Sequence, residues 1–338
     1  MRKILFTLAF AIILALALTS TASANGGPHG GYTATTDACA GCHRAHTAVG
    51  PNLLVQASTW DLCMSCHSNT GSGANTNVRD GLYLTGRNAA SVTITANNAN
   101  LLGGGFTNYK TVAVTSKHDV STGAAITGSL LAWGNGAATA RGTTATIATV
   151  ADPQFNCASC HDPHGSSNYR IIKTTVNSAA VAVALVDEGA ANKDYGVEHW
   201  GTGQSNLCSA CHSSYHVTQA SAGSVDQASK VAGQYGNDTT TWAHRVDMAY
   251  FYGANVNPET VGVTEGVTTY TLPLAETGTN NTVACQTCHL PHGSSAAMTG
   301  FADGGPTGGG IQPGNTIVTD SALLRLDNRG VCEVCHQK

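Results

Sequence analysis

The sequence predicts a protein that is mostly irregular coil, with short helical turns at one repeated motif and a few small β-hairpins. Charged residues make up 11% of the 338 residues and aromatic residues 6%, whereas glycine occurs 39 times. Such a chain has too few bulky side chains for a self-sufficient core and too little charge for a typical disordered segment. The 12 cysteines and 14 histidines are therefore the candidates for holding the chain together. The formal net charge of −4 excludes a basic nucleic-acid-binding surface.

Residues 1–24 have the pattern of a Sec signal peptide. Arg2 and Lys3 precede an apolar run over residues 4–18, and the small residues 22–24 resemble a cleavage site. A transmembrane helix is the alternative, but the run is about 15 residues long, short of the roughly 20 that span a bilayer. We therefore expect an exported protein with no transmembrane segment in the mature chain.

All twelve cysteines lie in six C-x-x-C-H motifs. Cysteines three residues apart share one helical turn, so each can form a thioether to a haem vinyl group, and the following histidine then lies under the iron as its axial ligand. The cysteines are Cys39 and Cys42, Cys63 and Cys66, Cys157 and Cys160, Cys208 and Cys211, Cys285 and Cys288, and Cys332 and Cys335. The motif histidines are His43, His67, His161, His212, His289 and His336.

Three other uses of paired cysteines explain this pattern less well. Disulfides suit an exported protein, but they give no reason for a histidine after every second cysteine. Zinc ribbons leave the six trailing histidines without a role, and thioredoxin-like pairs need a βαβ unit that the sequence does not predict. The sequence therefore predicts six covalently attached haem c groups.

The predicted haems also account for the unusual composition. Six porphyrins are large apolar plates, so a thin glycine- and alanine-rich chain can wrap them without a core of its own. The mature chain has roughly 50 residues for each haem, against about 100 for a globular haem domain. We therefore expect residues 25–338 to form one continuous domain, organised by its cofactors as a multihaem cytochrome c.

Histidines outside the motifs supply the second axial ligands. Eight exist and only four methionines, so two histidines on every iron is the simplest assignment, and two of the eight are then spare. Iron with two histidine ligands is saturated, which suits electron transfer and leaves no place for a substrate. The expected second ligands are His29, His46, His118, His164, His244 and His292, and the expected spare residues are His199 and His216.

Three of these histidines lie three residues after a motif histidine: His46, His164 and His292. A residue so close in the chain cannot readily reach the opposite face of the same haem. If it binds iron, it should therefore bind the iron of a neighbouring haem. The Pro-His-Gly turns at His164 and His292 favour this arrangement, since proline fixes φ and glycine permits a sharp exit.

The long intervals between motifs contain β-prone segments that we expect to form surface hairpins. Residues 304–310 are predicted to be a flexible loop, since a glycine-rich nucleotide loop would need a strand before it and a helix after it. The β-prone segments are residues 91–95, 111–115, 145–150, 179–186 and 263–272.

The motifs resemble those of the extracellular multihaem cytochromes of metal-reducing bacteria, and within that group the OmcS-type hexahaem filament cytochromes. The resemblance is carried by the six motifs, by His29 ahead of the first motif and by C-x-x-C-H-x-x-H from Cys39 to His46. Residues 157–170 and 323–336 are the most similar stretches. The chain is shorter than the type member of that group.

The resemblance implies a filament with a continuous chain of haems. In that family the histidine three residues past the first motif histidine ligates a haem of the adjacent subunit. Carried over to this sequence, His46 would bind the haem of Cys285, Cys288 and His289 in a neighbouring copy. The implied partners are the protein itself, other multihaem cytochromes and extracellular electron acceptors such as metal oxides.

Three functions are consistent with these features. The first is extracellular electron transfer by a head-to-tail filament on the cell surface, and the second is a monomeric electron shuttle of the periplasm or cell surface. The third, a multihaem oxidoreductase, needs an open coordination position, and the surplus of histidines disfavours it. We therefore expect an electron-transfer protein rather than an enzyme.

Overall fold

A computed structural model shows a chain dominated by irregular segments and turns, which confirms the predicted fold class. The helices are few and short, and the strands pair in small ribbons. The structure describes residues 29, 36–69, 74–84, 100–121, 155–184, 200–212, 216, 244, 246–250, 257–259, 263–265, 268–276, 281–298, 321–328 and 330–336. The predicted signal peptide, the 304–310 loop and the β-prone segments 91–95 and 145–150 lie outside the described residues.

Every C-x-x-C-H motif begins on a short helical turn, as predicted from the spacing of its cysteines. In two of the turns, polar side chains cap the N-terminus: Ser58 accepts a hydrogen bond from the Asp61 amide, and Asn156 accepts one from the Ala158 amide. The α-helices are α1 Thr59–His67, α2 Cys157–Cys160, α3 Gln204–Ser209, α4 Cys285–Cys288 and α5 Gly330–His336, and the first motif lies on a 3-10 helix at Thr36–Gly41.

The strands are two or three residues long. Most form two-stranded antiparallel ribbons: β1 Thr76–Asn77 with β2 Leu82–Tyr83, β3 Asn108–Tyr109 with β4 Val112–Ala113, β6 Thr175–Val176 with β7 Ala179–Ala180, and β10 Val263–Glu265 with β11 Thr268–Tyr270. Two pairings join distant segments. β5 Ser116–Lys117 pairs with β14 Gly293–Ser294, and a four-stranded sheet has the order β8 Trp200–Gly201, β12 Ala275–Glu276, β13 Thr282–Val283 and β9 Met248–Ala249.

Three predicted hairpin segments fall mostly on described residues, with residues 185–186 and 266–267 outside them. The segment 263–272 contains both strands of a hairpin, whereas 111–115 and 179–186 each contribute one two-residue strand to a ribbon with a preceding segment. Strands this short bury little apolar surface, so ribbon pairing alone contributes little stability.

Buried side chains form several small clusters rather than one core. Tyr169, Ile172, Val176, Val181 and Val183 form one cluster against Cys211, and Leu272, Leu326, Val331 and Val334 form another against Cys288 and Cys335. Each of these clusters therefore lies beside motif cysteines, where the predicted haems would extend it. Among the described residues, no helix has the length and apolar character to cross a membrane.

Candidate haem-binding sites

Consecutive motifs lie next to one another in space. Helix α1 packs against α2, where the thiols of Cys63 and Cys157 share a hydrogen bond, and α3 packs against α4, where Cys208 and Cys285 do the same. The other successive motifs have cysteines close enough to interact electrostatically: Cys42 with Cys63 and Cys66, Cys160 with Cys211, and Cys288 with Cys332 and Cys335. The six motifs therefore follow one another in space in the order of the sequence.

Burial controls the charge of these thiols. It is the main cause that raises the pKa of Cys160 to about 11, with the nearby Cys211 thiol adding to it. Burial likewise raises the pKa of Cys288 to about 12. Both side chains are therefore neutral thiols at pH 7 until a haem is attached.

Backbone carbonyls fix the orientation of four motif histidines through their Nδ1 atoms. A carbonyl only accepts hydrogen bonds, so each Nδ1 carries the proton and Nε2 keeps its lone pair, the tautomer that a metal requires at Nε2. The Nδ1–H groups donate from His43 to Asn52 O at 2.8 Å, His67 to Thr76 O at 3.1 Å, His161 to Arg170 O at 2.9 Å and His289 to Ala322 O at 2.8 Å.

The first, third and fifth motifs share one backbone arrangement. In each, the motif histidine forms a β-bridge with a leucine or isoleucine, and the two residues before that position have left-handed backbone. The bridges are His43 to Leu54, His161 to Ile172 and His289 to Leu324. The left-handed pairs are Asn52 and Leu53, Arg170 and Ile171, and Ala322 and Leu323, with φ between 48° and 62°. Left-handed backbone costs a non-glycine residue about 1–2 kcal/mol, so the surrounding hydrogen bonds must hold it in place.

This arrangement divides the chain into three units of two motifs each. We call residues 39–67 unit 1, residues 157–212 unit 2 and residues 285–336 unit 3; each begins with a C-x-x-C-H-x-x-H motif. The intervals between motifs vary, so sequence analysis missed this repeat. Its signal is a residue followed by two leucines or isoleucines, at Asn52-Leu53-Leu54, Arg170-Ile171-Ile172 and Ala322-Leu323-Leu324.

Five motif histidines face a second histidine ring, and the five facing residues belong to the six predicted second ligands. The pairs, with the distances between ring centroids, are His29–His67 and His43–His164 at 6.1 Å, His118–His212 and His161–His292 at 6.3 Å, and His244–His336 at 6.5 Å.

The spacing of these pairs fits one metal ion between the two rings. Two imidazoles on opposite sides of a metal have centroids about 6 Å apart, since each metal–nitrogen bond is about 2 Å and each ring adds about 1 Å. Burial lowers the pKa of His118, His161 and His292, to about 3 for His292, so these rings are neutral at pH 7. Neutral imidazole is the form that binds iron, so these residues fit a haem with two histidine ligands.

The pairs follow one rule that relates the three units. The histidine three residues past the first motif histidine of one unit faces the first motif histidine of the preceding unit: His164 of unit 2 faces His43, and His292 of unit 3 faces His161. A histidine that precedes each unit in the sequence faces that unit's second motif histidine. These residues are His29 before unit 1, His118 before unit 2 and His244 before unit 3.

A second contact repeats at the junctions between units. His29 Nδ1 donates to Pro163 O of unit 2 at 3.1 Å, and His118 Nδ1 donates to Pro291 O of unit 3 at 2.6 Å. In both cases the accepting carbonyl directly precedes the histidine that faces the preceding unit. Each junction therefore ties together the two predicted second ligands that meet there.

Two of the twelve predicted iron ligands, His46 and His289, belong to none of these pairs. His46 of unit 1 is exposed, and among the described residues no histidine ring faces it. The ring of His289 in unit 3 is also exposed, and the described part of the chain contains no histidine ring opposite it. The structure thus separates these two residues from the other ten predicted ligands.

The two histidines predicted to be spare have different outcomes. His216 Nε2 lies 2.7 Å from Asp247 Oδ2, so the nitrogen that would bind iron already has a carboxylate partner. His199 lies outside the described residues.

Residues 100–121 hold the histidine loop of unit 3 in place. The amide of His292 donates to Gly103 O at 2.9 Å, and the amide of His118 donates to His292 O at 3.1 Å. Gly104 has a φ of +80°, and a Cβ built on it would lie 2.1 Å from Gly293 O. The buried Arg325 guanidinium adds a further link, since it donates to Leu102 O and to Gln286 O at 2.7 Å.

Comparison with known proteins identifies the motifs and little else. Residues 32–72 and 148–179 match the family described as Doubled CXXCH motif. The matched motifs indicate covalently bound haem c. They support a multihaem c-type cytochrome that transfers electrons. No curated protein and no solved structure matches the chain. The matched segments contain unit 1 and the first motif of unit 2, and the geometry described above extends the same construction to unit 3.

Proposed function

We propose that the protein is a hexahaem c-type cytochrome for extracellular electron transfer, with each iron held between two histidines. The five facing pairs, at spacings that fit one iron each, carry this proposal. When bound, each haem supplies one-electron redox chemistry. Two histidines on each iron leave no coordination position for a substrate, which supports electron transfer over catalysis.

The protein's own residues would hold the cofactors in fixed positions. Backbone carbonyls at Asn52, Thr76, Arg170 and Ala322 prevent the motif imidazoles from rotating, and they keep the proton on Nδ1. The packing of helix α1 against α2 and of α3 against α4 would hold successive sites next to one another. Fixed ligands reduce the change in structure that accompanies a change of iron charge, which favours rapid electron transfer.

Copies of the chain would join head to tail through His46 and His289. Within the chain, His164 faces the first motif histidine of unit 1 and His292 faces that of unit 2. Continued by one step, the rule pairs His289 of unit 3 with His46 in unit 1 of the next copy. The two surfaces differ, so the contact would be heterologous, and a heterologous contact that does not close into a ring generates an open filament.

The surface around His46 supports the same partner. Val49 is 71% exposed and Leu53 is 52% exposed, whereas Ile171, the unit 2 equivalent of Leu53, is 9% exposed. Covering these apolar side chains would add hydrophobic stabilisation to the junction.

The N-terminal signal sequence supports export, and filaments would lie outside the cell. Other multihaem cytochromes would then deliver electrons, and acceptors such as metal oxides would receive them. A monomeric shuttle of the periplasm or cell surface is the alternative.

Cryo-electron microscopy of protein sheared from cells that produce it tests the proposal. We expect filaments with His46 density continuous with the iron at His289 of the adjacent copy, and no filaments from a His46→Ala variant. Dispersed monomers in the wild-type sample, with His46 unbound, would instead identify a shuttle. Filaments formed by His46→Ala would contradict the junction.

A further inference from the structure

We propose that the unpolymerised chain has a binding site for small exogenous ligands opposite His289, and that polymerisation closes it. The ligand class is a neutral diatomic molecule such as carbon monoxide, or an imidazole base. This inference rests on the proposed haem attachment and on the His46 junction. It adds a binding activity that only free chains and one end of each filament would have.

His289 is exposed and oriented so that it can bind iron. Its neighbour Leu290 is fully buried at 0% exposure, yet the His289 ring itself is exposed. The Nδ1–H group donates to Ala322 O at 2.8 Å, which leaves the Nε2 lone pair for iron. This motif histidine is therefore as well prepared to bind iron as His43 and His161, whose Nδ1 atoms have equivalent carbonyl partners.

The motif histidines equivalent to His289 in units 1 and 2 each have a facing histidine ring. His164 faces His43 and His292 faces His161, each at a ring spacing that fits one iron. In the described part of the chain, no imidazole takes the corresponding place at His289. An axial position without a protein ligand is where diatomic molecules and free imidazole bind a haem iron.

Internal substitutes among the described histidines are already engaged. The Nε2 atom of His216 contacts Asp247 at 2.7 Å, and the other second-ligand histidines except His46 face motif histidines of their own. His46 belongs to the opposite end of the series of units. Among the described histidines, His46 of a second copy is the one left to close the site at His289, while His199 lies outside the described residues.

The consequence is competition between ligand and assembly. A ligand opposite His289 would occupy the position that the next copy's His46 needs, so it would cap a growing filament. In a finished filament only the last subunit at one end keeps the position open. Ligand binding per chain should therefore fall as filaments lengthen.

Carbon monoxide titration of the reduced holoprotein measures the open site. We expect monomeric His46→Ala protein to bind one carbon monoxide per chain, and long wild-type filaments to bind far less than one. Shearing the wild-type filaments should raise the bound amount in proportion to the number of new ends, which tests the site without any substitution. In His46→Ala, free imidazole should convert one high-spin haem signal to low-spin in electron paramagnetic resonance.

A matched variant calibrates the count. His46→Ala combined with His292→Ala should bind two carbon monoxide molecules per chain, because the position opposite His161 opens as well. If the His46→Ala monomer binds none and all six haems are low-spin, a residue of the same chain closes the site and the inference is wrong. That result would leave the proposed electron-transfer function standing, whereas filament formation by His46→Ala would overturn the junction itself.

Discussion

Units 1 and 2 have the same local construction but very different surroundings. Both place a left-handed pair of residues nine and ten positions after the motif histidine, and both use the carbonyl of the first to fix Nδ1. The side chains differ in burial: Leu53 in unit 1 is 52% exposed, and Ile171 in unit 2 is 9% exposed. Hydrogen bonds between residues nine positions apart thus build the haem-binding turn in both units. How deeply the turn is buried depends on other segments that pack against it.

The difference follows from what each turn has beside it. In unit 2 the ribbon β6–β7 folds back on the turn, and Val176, Val181 and Val183 pack with Tyr169 and Ile172. In unit 1 the turn at Pro51–Leu53 is exposed. Unit 1 therefore has the same haem-binding turn as unit 2, but this turn is exposed in unit 1 and buried in unit 2.

His164 and His46 occupy equivalent positions in units 2 and 1, but their substitution should have very different consequences. His164→Ala removes the ring that faces His43 within the same chain, so filaments should still form and one haem per chain should become high-spin. His46→Ala should abolish filaments if, as proposed, its ring binds the iron at His289 of another copy. Electron paramagnetic resonance combined with negative-stain microscopy checks both. Loss of filaments in His164→Ala, together with their retention in His46→Ala, would reverse the assignment.

A substitution in residues 100–121 tests how firmly the internal junctions are held. Gly104→Ala places a Cβ against Gly293 O and puts alanine at a positive φ. We expect it to destabilise the holoprotein by about 2–4 kcal/mol, since the backbone on both sides must shift. Chemical denaturation measures this loss. In the control Gly41→Ala, no atom lies within 4 Å of the added Cβ, and the change should be within about 0.5 kcal/mol.

The buried side chain of Asn168 joins the unit 2 turn to the backbone of residues 181 and 183. Asn168 donates from Nδ2 to Val181 O at 2.8 Å and accepts at Oδ1 from the Val183 amide at 2.9 Å. Asn168→Ala should cost about 1–3 kcal/mol, because it leaves buried backbone groups without partners. The neighbouring exposed Ser167→Ala serves as the control. A cost of Asn168→Ala as small as that of the control would show that the ribbon does not depend on this side chain.

Asp80, between units 1 and 2 in the sequence, should give the protein a weak pH dependence of stability. Burial raises the pKa of this carboxyl, but hydrogen bonds from Arg79, Asn77 and Asn108 outweigh it, and the net pKa is lowered. Its stabilising contribution is therefore present above the unfolded pKa of about 3.9 and is lost as the pH falls through the lower folded value. Urea denaturation of wild type and Asp80→Asn should give a difference at pH 7 that shrinks below about pH 4. A difference that stays constant with pH would contradict this role.

Much of the fold could be predicted because its elements are local. The helical turns at the motifs follow from cysteines three residues apart, and the hairpin within 263–272 follows from a run of β-prone residues. The parallel pairing of Trp200–Gly201 with Ala275–Glu276 could not be predicted, since the two strands are far apart in the sequence and too short to carry a distinctive pattern.

The candidate sites divide in the same way. The sequence alone identified the motif cysteines and histidines, because covalent haem attachment needs neighbouring residues at a fixed spacing. It also singled out His29, His46, His118, His164, His244 and His292, but not which ring each one faces. It missed the carbonyl acceptors at Asn52, Arg170 and Ala322, since a backbone carbonyl has no residue type to mark it.

The haem-attachment motifs and the shortage of core-forming side chains could be predicted from residue types and spacing alone. The pairing of His164 with His43 and of His292 with His161, which leaves His46 and His289 at the two ends, became visible in the three-dimensional fold. The difference arises from distance along the chain: motif spacing acts within one helical turn, whereas a facing pair forms only when whole units pack against each other. Packing between units depends on many weak contacts at once, so no short sequence pattern predicts it.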